Sequence, residues 1–249
     1  MKLSVLMITN NAEEVIEEAL KSVNGLWDEL LVADDQSTDR TREIVKRYGG
    51  KVFLPKNKNL GERKEWLITK ARGDWILILD SDERVSSKLR KETKAIVAPG
   101  HDESCKNNIK GYRISYQNYV FGGPVYWGGE RYSKVRLFRR EYGRVTVVPL
   151  HEEVIVQGKI GTLQGIIRHY SFRTPQQLFC KFTNYAKIAC QQKRRQGETL
   201  SIKKLFFFGP HMFWARYVKE GGYKDGWRGI ILASAFAYME GLTYWLLLL

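Results

Sequence analysis

Over the first hundred residues, short apolar runs alternate with helical patterns. Leu3–Ile8, Leu30–Ala33, Val52–Leu54 and Trp75–Leu79 read as strands, and each is followed by a helical segment: Glu13–Val23, Thr38–Tyr48, Leu60–Arg72 and Ser86–Val97. That order predicts a parallel sheet covered by helices. The run Trp75-Ile76-Leu77-Ile78-Leu79 has no polar face, as a central parallel strand buried on both sides requires, and it stops abruptly at Asp80-Ser81-Asp82-Glu83. From Gly111 to about Tyr170 the pattern changes to short alternating segments such as Tyr112–Tyr116 and Lys134–Phe138, separated by glycine clusters. Mixed or antiparallel strands and loops are predicted there. After Thr174-Pro175 an apolar stripe of Leu178, Phe182, Tyr185 and Ala189 marks an amphipathic helix, with Lys181, Lys187, Lys193, Arg194 and Arg195 mostly off the stripe.

The C-terminal third is different in chemistry. Of 41 Lys and Arg against 27 Asp and Glu in the 249-residue chain, net +14, residues 168–249 hold 13 and 4. Nucleotides, anionic lipid head groups and nucleic acid are the partner classes for such a surface. Leu205-Phe206-Phe207-Phe208 and His211-Met212-Phe213-Trp214-Ala215 are interleaved with Lys203, Lys204, Arg216 and Lys219, which suits an interfacial segment. Ile230–Leu249 is nearly all apolar and long enough to cross a bilayer, but Glu240 in its middle favours a helix lying on the membrane or packed on the protein. The expected division is one α/β domain over 1–172, with halves at 1–100 and 101–172, then a helical, membrane-associating region at 173–249. With 43% hydrophobic and 27% charged residues the composition is ordinary for a globular chain. Cys105, Cys180 and Cys190 form no Cys-x-x-Cys pair, which excludes a disulfide scaffold or a typical zinc site and points to a reducing cytoplasm. The N-terminal apolar run ends too early for a signal-peptide core, and the expected location is peripheral, on the inner face of the cytoplasmic membrane.

Three predicted strands deliver polar residues to one rim. Asp80 and Asp82, two apart at a strand end, can present both carboxylates to one point, good geometry for Mg²⁺ or Mn²⁺ that also takes phosphate oxygens. Two surface acids after a strand are the plainer alternative, but ligands in open α/β sheets bind at the carboxyl ends of strands. Asp34-Asp35-Gln36-Ser37-Thr38-Asp39 follows the second strand. There Ser37 or Thr38 can cap the next helix with Asp39 in its first turn, leaving Asp34 and Asp35 to accept hydrogen bonds from a ribose or base. Thr9-Asn10-Asn11 occupies the same edge after the first strand.

The segments Ser4–Asn11, Val32–Asp39 and Gly73–Glu83, in this order and spacing, resemble the nucleotide-sugar-binding half of family two inverting glycosyltransferases of the A-type fold. The resemblance implies an α/β fold with a mostly parallel sheet flanked by helices. It places Asn11, Asp34 and Asp35 around a uridine, Arg63 or Lys64 near the nucleotide sugar, and Asp80 and Asp82 on the metal at the diphosphate; Thr9 and Ser81 join the nucleotide-sugar set. The chain departs from the family pattern at Gln36, where glycine is usual, and at Lys64, where asparagine often follows the arginine. Arg136–Arg140, Leu150–Glu153, His169–Ser171 and Tyr217–Trp227 are similar to the subgroup containing lipopolysaccharide core β-glucosyltransferases. That subgroup implies glucose from UDP-glucose and an inner-core sugar on a lipid anchor as acceptor.

An inverting transfer needs charge stabilisation on the leaving phosphates and a base for the acceptor hydroxyl. Glu152, beside His151 in a polar break between apolar stretches, is the expected base, with Glu153 facing the other way in an extended segment. His169 is a further candidate metal ligand or a satisfied, partly buried histidine. Arg136 and Arg139 are expected to share one face of an extended segment and grip a phosphate or acidic acceptor. The loop Phe121–Glu130 reads equally as a mobile lid or as a hairpin with a packed Trp127. A nucleotidyltransferase would carry a glycine-rich basic loop after the first strand, which Thr9–Glu14 is not. A basic membrane-surface or nucleic-acid-binding protein without transferase activity is the alternative class, and the acidic rim argues against nucleic acid as a partner.

Overall fold

A computed structural model describes residues 2–55, 59–98, 108–147, 152–198 and 202–248, with backbone only for 202–205. Strand β1 (Leu3–Thr9) is buried along its whole length and pairs in parallel with β2 (Glu29–Asp34) on one side and β4 (Trp75–Ile78) on the other. A chain segment without a polar face has no choice but the middle of a sheet covered on both sides. β3 (Lys51–Phe53) continues the parallel half beyond β2. On the other flank the sheet turns antiparallel: β8 (Ser133–Arg139) pairs with β4, followed by β6 (Ile109–Val120), β11 (Lys159–Phe172) and β5 (Glu83–Val85), while β7 (Gly123–Val125) adds to β6. The expected α/β class is what forms.

Helices α1 (Ile16–Val23), α2 (Thr41–Arg47), α3 (Leu60–Lys70) and α4 (Ser87–Val97) connect the parallel strands and lead out of β5. α3 starts in a capping box, in which Asn59 accepts from the Glu62 N–H and Glu62 accepts from the Asn59 N–H. Ser86 caps α4 through the Leu89 N–H. Neither Ser37 nor Thr38 caps α2, contrary to expectation. The helix begins later, at Thr41, because Ser37 is drawn back to Asp34, and it is Asp39 that accepts from the Thr41 N–H.

By its internal contacts the chain forms two units, one running up to Tyr116 and including Ser133–His169, the other made of Gln117–Tyr132 and Tyr170–Leu249. The segment 117–132 therefore groups with the C-terminal region. The second unit holds α5 (Pro175–Arg195), α6 (Ile202–Trp214) and α7 (Trp227–Leu248), the last two joined by a π-helical turn at Ala215–Lys219 and a 3₁₀ turn at Gly222–Asp225. α5 buries Leu178, Phe182, Ala186 and Cys190. The fully buried positions follow a four-residue spacing, while Tyr185 of the predicted stripe is partly buried and packs on the cluster of Leu178 and Phe182 with Leu232 and Ala235 of α7. The Phe121–Glu130 loop is tied down within this unit: Asp225 accepts from the N–H groups of Tyr126 and Trp127, and the Lys224 ammonium lies 3.9 Å over the Trp127 ring.

In the first unit a small hairpin of β9 (Gly143–Val145) and β10 (Val154–Val156) is seated on α3. Gly61, Lys64 and Glu65 lie on one helix face by their spacing. Glu65 accepts from the Val145 N–H at 2.7 Å, and a Cβ on Gly61 would lie 2.4 Å from the Thr146 carbonyl oxygen. Gly61→Ala is therefore expected to lower stability in denaturant unfolding by about 1–3 kcal/mol; an unchanged midpoint would mean that the hairpin is not seated on this helix.

Candidate functional site

The carboxyl ends of β1, β2 and β4, the face of α3 and the β9–β10 hairpin bring most of the predicted site residues together in the first unit. At the β1–β2 end, Asp34 is buried and accepts from both the N–H and the hydroxyl of Ser37, at 2.9 and 2.5 Å. Its role in the described structure is to shape the loop. Ser37 in turn accepts from the Asn11 N–H, and the Asn11 side-chain oxygen accepts from the Thr38 N–H at 2.8 Å. Asp35 reaches the other way and takes a two-pronged ion pair from Arg63 of α3, with both N–O distances 2.6 Å. The Thr9 hydroxyl and Arg63 Nε are buried and find no hydrogen-bond partner among the described residues. Polar atoms in that state carry a desolvation cost that a bound ligand would offset.

At the end of β4 the charges alternate. The Glu152 carboxylate lies 2.8 Å from Lys64 Nζ, which lies 3.1 Å from Asp80 Oδ1; Asp80 Oδ2 lies 3.0 Å from Arg136 Nη2, which is also 3.0 Å from Glu83 Oε1. Arg136 further donates to the Tyr116 hydroxyl. A tight turn closes the acidic end, with the Asp80 N–H donating to Glu83 and the Glu83 N–H to the Asp80 carbonyl. Although burial opposes ionisation, Lys64 and Arg136 hold the Asp80 carboxyl far below the usual carboxylate range. Burial and the neighbouring Asp80 charge push Glu83 up against the pull of Arg136. The Tyr116 hydroxyl is driven well up by burial.

Register explains the other metal candidate. β11 runs antiparallel to β5 with His169 opposite Glu83, which carries the imidazole to the Asp80–Glu83 turn. His169 Nε2 lies 3.4 Å from Asp82 Oδ2, and the Asp82 charge raises the His169 pKa despite burial. Ser81 lies in the turn between them. A cavity of about 160 Å³ opens beside this cluster, with Lys64, Lys134, Arg136, Glu152 and Glu153 among its walls. His151 lies outside the described residues.

The profile of "Glycosyl transferase family 2" matches residues 4–147, the stretch that supplies Thr9, Asp34, Asp35, Arg63, Lys64, Asp80 and Arg136. The chain belongs to glycosyl transferase family 2. Relatives include an uncharacterized glycosyltransferase of Rickettsia typhi, 26% identical over 97% of this chain and 85% of its own, and one of Rickettsia prowazekii, 30% identical over 86% and 74%. The poly(ribitol-phosphate) beta-N-acetylglucosaminyltransferase TarS of Staphylococcus aureus is 30% identical over 45% of this chain and 21% of its own. Its crystal structure, residues 1–349, aligns over 98% of this chain and 89% of that one with 16% identity and a TM-score of 0.49.

For this glycosyltransferase the donor set divides by what each carboxylate already holds. Asp82 and His169 face one another, whereas both Asp80 oxygens carry ion pairs with Lys64 and Arg136. No group of three or more His, Cys, Asp and Glu is arranged to enclose a metal among the described residues. Two protein donors nevertheless fit Mg²⁺ or Mn²⁺, which keep waters and share their shell with substrate phosphates. Arg136 and Arg139 are not brought to one site: a β-bulge at Arg136, where Tyr112 pairs with Leu137 but Arg113 with Val135, breaks the strand's alternation, and Arg136 is held by Asp80 and Glu83 whereas Arg139 lies 5.0 Å over the Trp75 ring. Glu83 and Tyr116 were not singled out as site residues by sequence, although Glu83, three after Asp80, had the spacing to close the turn. Replacing Arg136 by Leu leaves Asp80 and Glu83 buried together without their shared cation. Loss of about 3–5 kcal/mol in denaturant unfolding is expected, and a loss below about 1 kcal/mol would show that Arg136 is not the cluster's main counter-charge.

Proposed function

We propose that this family 2 enzyme transfers a hexose, glucose from UDP-glucose, with inversion onto a hydroxyl of a lipid-linked saccharide such as lipopolysaccharide inner core. The observation that carries the reading is the chain Glu152–Lys64–Asp80, which brings a candidate base within one ammonium of the donor end of β4. Thr9, Asn11 and Asp35 border the nucleoside site, where the unpartnered Thr9 hydroxyl and Arg63 Nε supply hydrogen-bonding capacity, and Asp34 holds the loop through Ser37. Ser81 lies at the sugar diphosphate. Asp82 and His169, with Asp80 beside them, would hold Mg²⁺ or Mn²⁺, which when bound supplies Lewis-acid stabilisation of the leaving diphosphate. Glu152 takes the proton of the acceptor hydroxyl as that oxygen attacks the anomeric carbon, and the bond to the diphosphate breaks on the opposite side. His151, next in sequence and outside the described residues, is the second candidate catalytic residue.

The acceptor and location rest on the second unit. α7 is long and apolar enough to cross a membrane by length and composition, with 28% of its most apolar window buried. Exposed Phe206, Phe207, Trp214, Trp227 and Trp245, among basic side chains, favour docking on the anionic inner face of the cytoplasmic membrane. Half-buried Glu240, its pKa raised by burial, is easier to accommodate on a surface helix than at a bilayer centre.

A thermal-shift panel of UDP, GDP, CDP, ADP and dTDP tests the donor site, because a ligand bound only to the native state raises apparent stability. UDP with Mn²⁺ is expected to raise Tm, and Asp82→Asn to remove the metal-dependent part; no response to any nucleotide would overturn the reading. Glu152→Gln is expected to keep UDP binding but lose at least about 10²-fold in transfer to a lipopolysaccharide inner-core acceptor, and full activity would move the base to another acid.

A further inference from the structure

Lys64 sits where the family commonly has asparagine, and in this chain its side chain is 3% exposed between two carboxylates, 3.1 Å from Asp80 and 2.8 Å from Glu152. Its place is secured from the backbone outward. The Asn59–Glu62 capping box sets the start of α3, Gly61 lets the hairpin approach, and Glu65 fastens that hairpin to the helix one residue after Lys64. A buried ammonium so fixed cannot turn to water, so its charge must be shared between the two acids that flank it. Asp80 is thereby supplied with two internal cations, Lys64 and Arg136, before any ligand arrives.

We infer that Lys64 is a positioning residue that ties Glu152, on the acceptor side, to Asp80, on the donor side, and that its ammonium competes with a divalent cation for the negative charge at the Asp80–Asp82 turn. The assignment of the two sides rests on the proposed transferase reading. The competition itself rests on geometry alone. A cation entering beside Asp80 weakens that carboxylate's hold on Lys64 and leaves the ammonium to Glu152; conversely, loss of the Glu152 charge leaves Lys64 wholly to Asp80. The two carboxylates are then coupled through one side chain, and any such coupling must be reciprocal.

The test uses the full chain and Mn²⁺ alone, without nucleotide, followed by the electron paramagnetic resonance signal of free Mn²⁺. Lys64→Met keeps the length of the side chain and removes its charge. Mn²⁺ is expected to bind this variant at least about tenfold more tightly than the wild type, equivalent to about 1.4 kcal/mol, an outcome that a merely structural role would not produce. Lys64→Arg, which restores the charge, is expected to return the affinity toward wild type. Glu152→Gln is expected to weaken Mn²⁺ by about threefold, and the same change in the Lys64→Met background to have a clearly smaller effect, since Lys64 is the cation in direct contact with both Glu152 and Asp80. If Lys64→Met fails to fold, Lys64→Asn takes its place with the same expected gain. Equal or weaker Mn²⁺ affinity without the lysine charge, or a Glu152 effect that persists undiminished without Lys64, overturns the inference. Wild-type protein that binds no nucleotide diphosphate in a separate titration would instead count against the transferase reading and leave the metal comparison intact.

Discussion

The candidate site depends on how three buried or half-buried acids, Asp80, Glu83 and Glu152, are kept together at the end of β4. Like charges at such separations in a low-dielectric surrounding cost several kcal/mol unless they are compensated. Compensation comes from two cations on separate elements, Lys64 on α3 and Arg136 on β8, each shared between two carboxylates. Much of the local architecture follows from delivering those cations. β8 must pair with β4 for Arg136 to reach Asp80, and it does so in antiparallel register, Leu77 opposite Leu137. α3 must hold the β9–β10 hairpin closely for Lys64 to reach Glu152.

This arrangement separates supporting groups from groups with capacity left for a ligand. Asp34 is spent on Ser37, and Arg136 on Asp80, Glu83 and Tyr116. Thr9 and Arg63 Nε are not so occupied among the described residues. A rim whose first layer is saturated and whose second still has unsatisfied atoms is preorganised for a ligand rather than merely acidic.

Much of this was legible in the chain. Strands without a polar face declare their central position, and acids placed directly after them declare a carboxyl-end rim; both features are local and survive folding unchanged. Lys64, Asp80 and Glu152 could each be named from sequence. Their mutual contact could not, because it depends on the antiparallel half of the sheet and on a hairpin seated by one glycine, and no periodicity reports either. The cap of α2 was misplaced for a related reason: Ser37 has two acceptor or donor choices, and the tertiary partner Asp34 outcompetes the start of the helix. The common role expected of Arg136 and Arg139 was not legible for another reason: a β-bulge at Arg136 interrupts the strand's alternation, and the two arginines take different partners.

Backbone strain marks the same rim. Asn11 and Gln36 adopt left-handed conformations, with φ of 44° and 56°. For a side chain such as glutamine that region costs roughly 1–2 kcal/mol relative to the right-handed one, which accounts for the glycine usual at this position in the family. The surroundings over-determine the strained geometry here: Ser37 is held by Asp34 on one side and accepts from the Asn11 N–H on the other, while Thr38 donates to the Asn11 side chain. The two strained residues thus lie in neighbouring loops, after β1 and after β2, that hydrogen bonds tie together beside a buried carboxylate. Such strain persists only where neighbouring bonds compensate for it, so Asp34 contributes to the rim by fixing the shape of the loop that carries Asp35 toward Arg63.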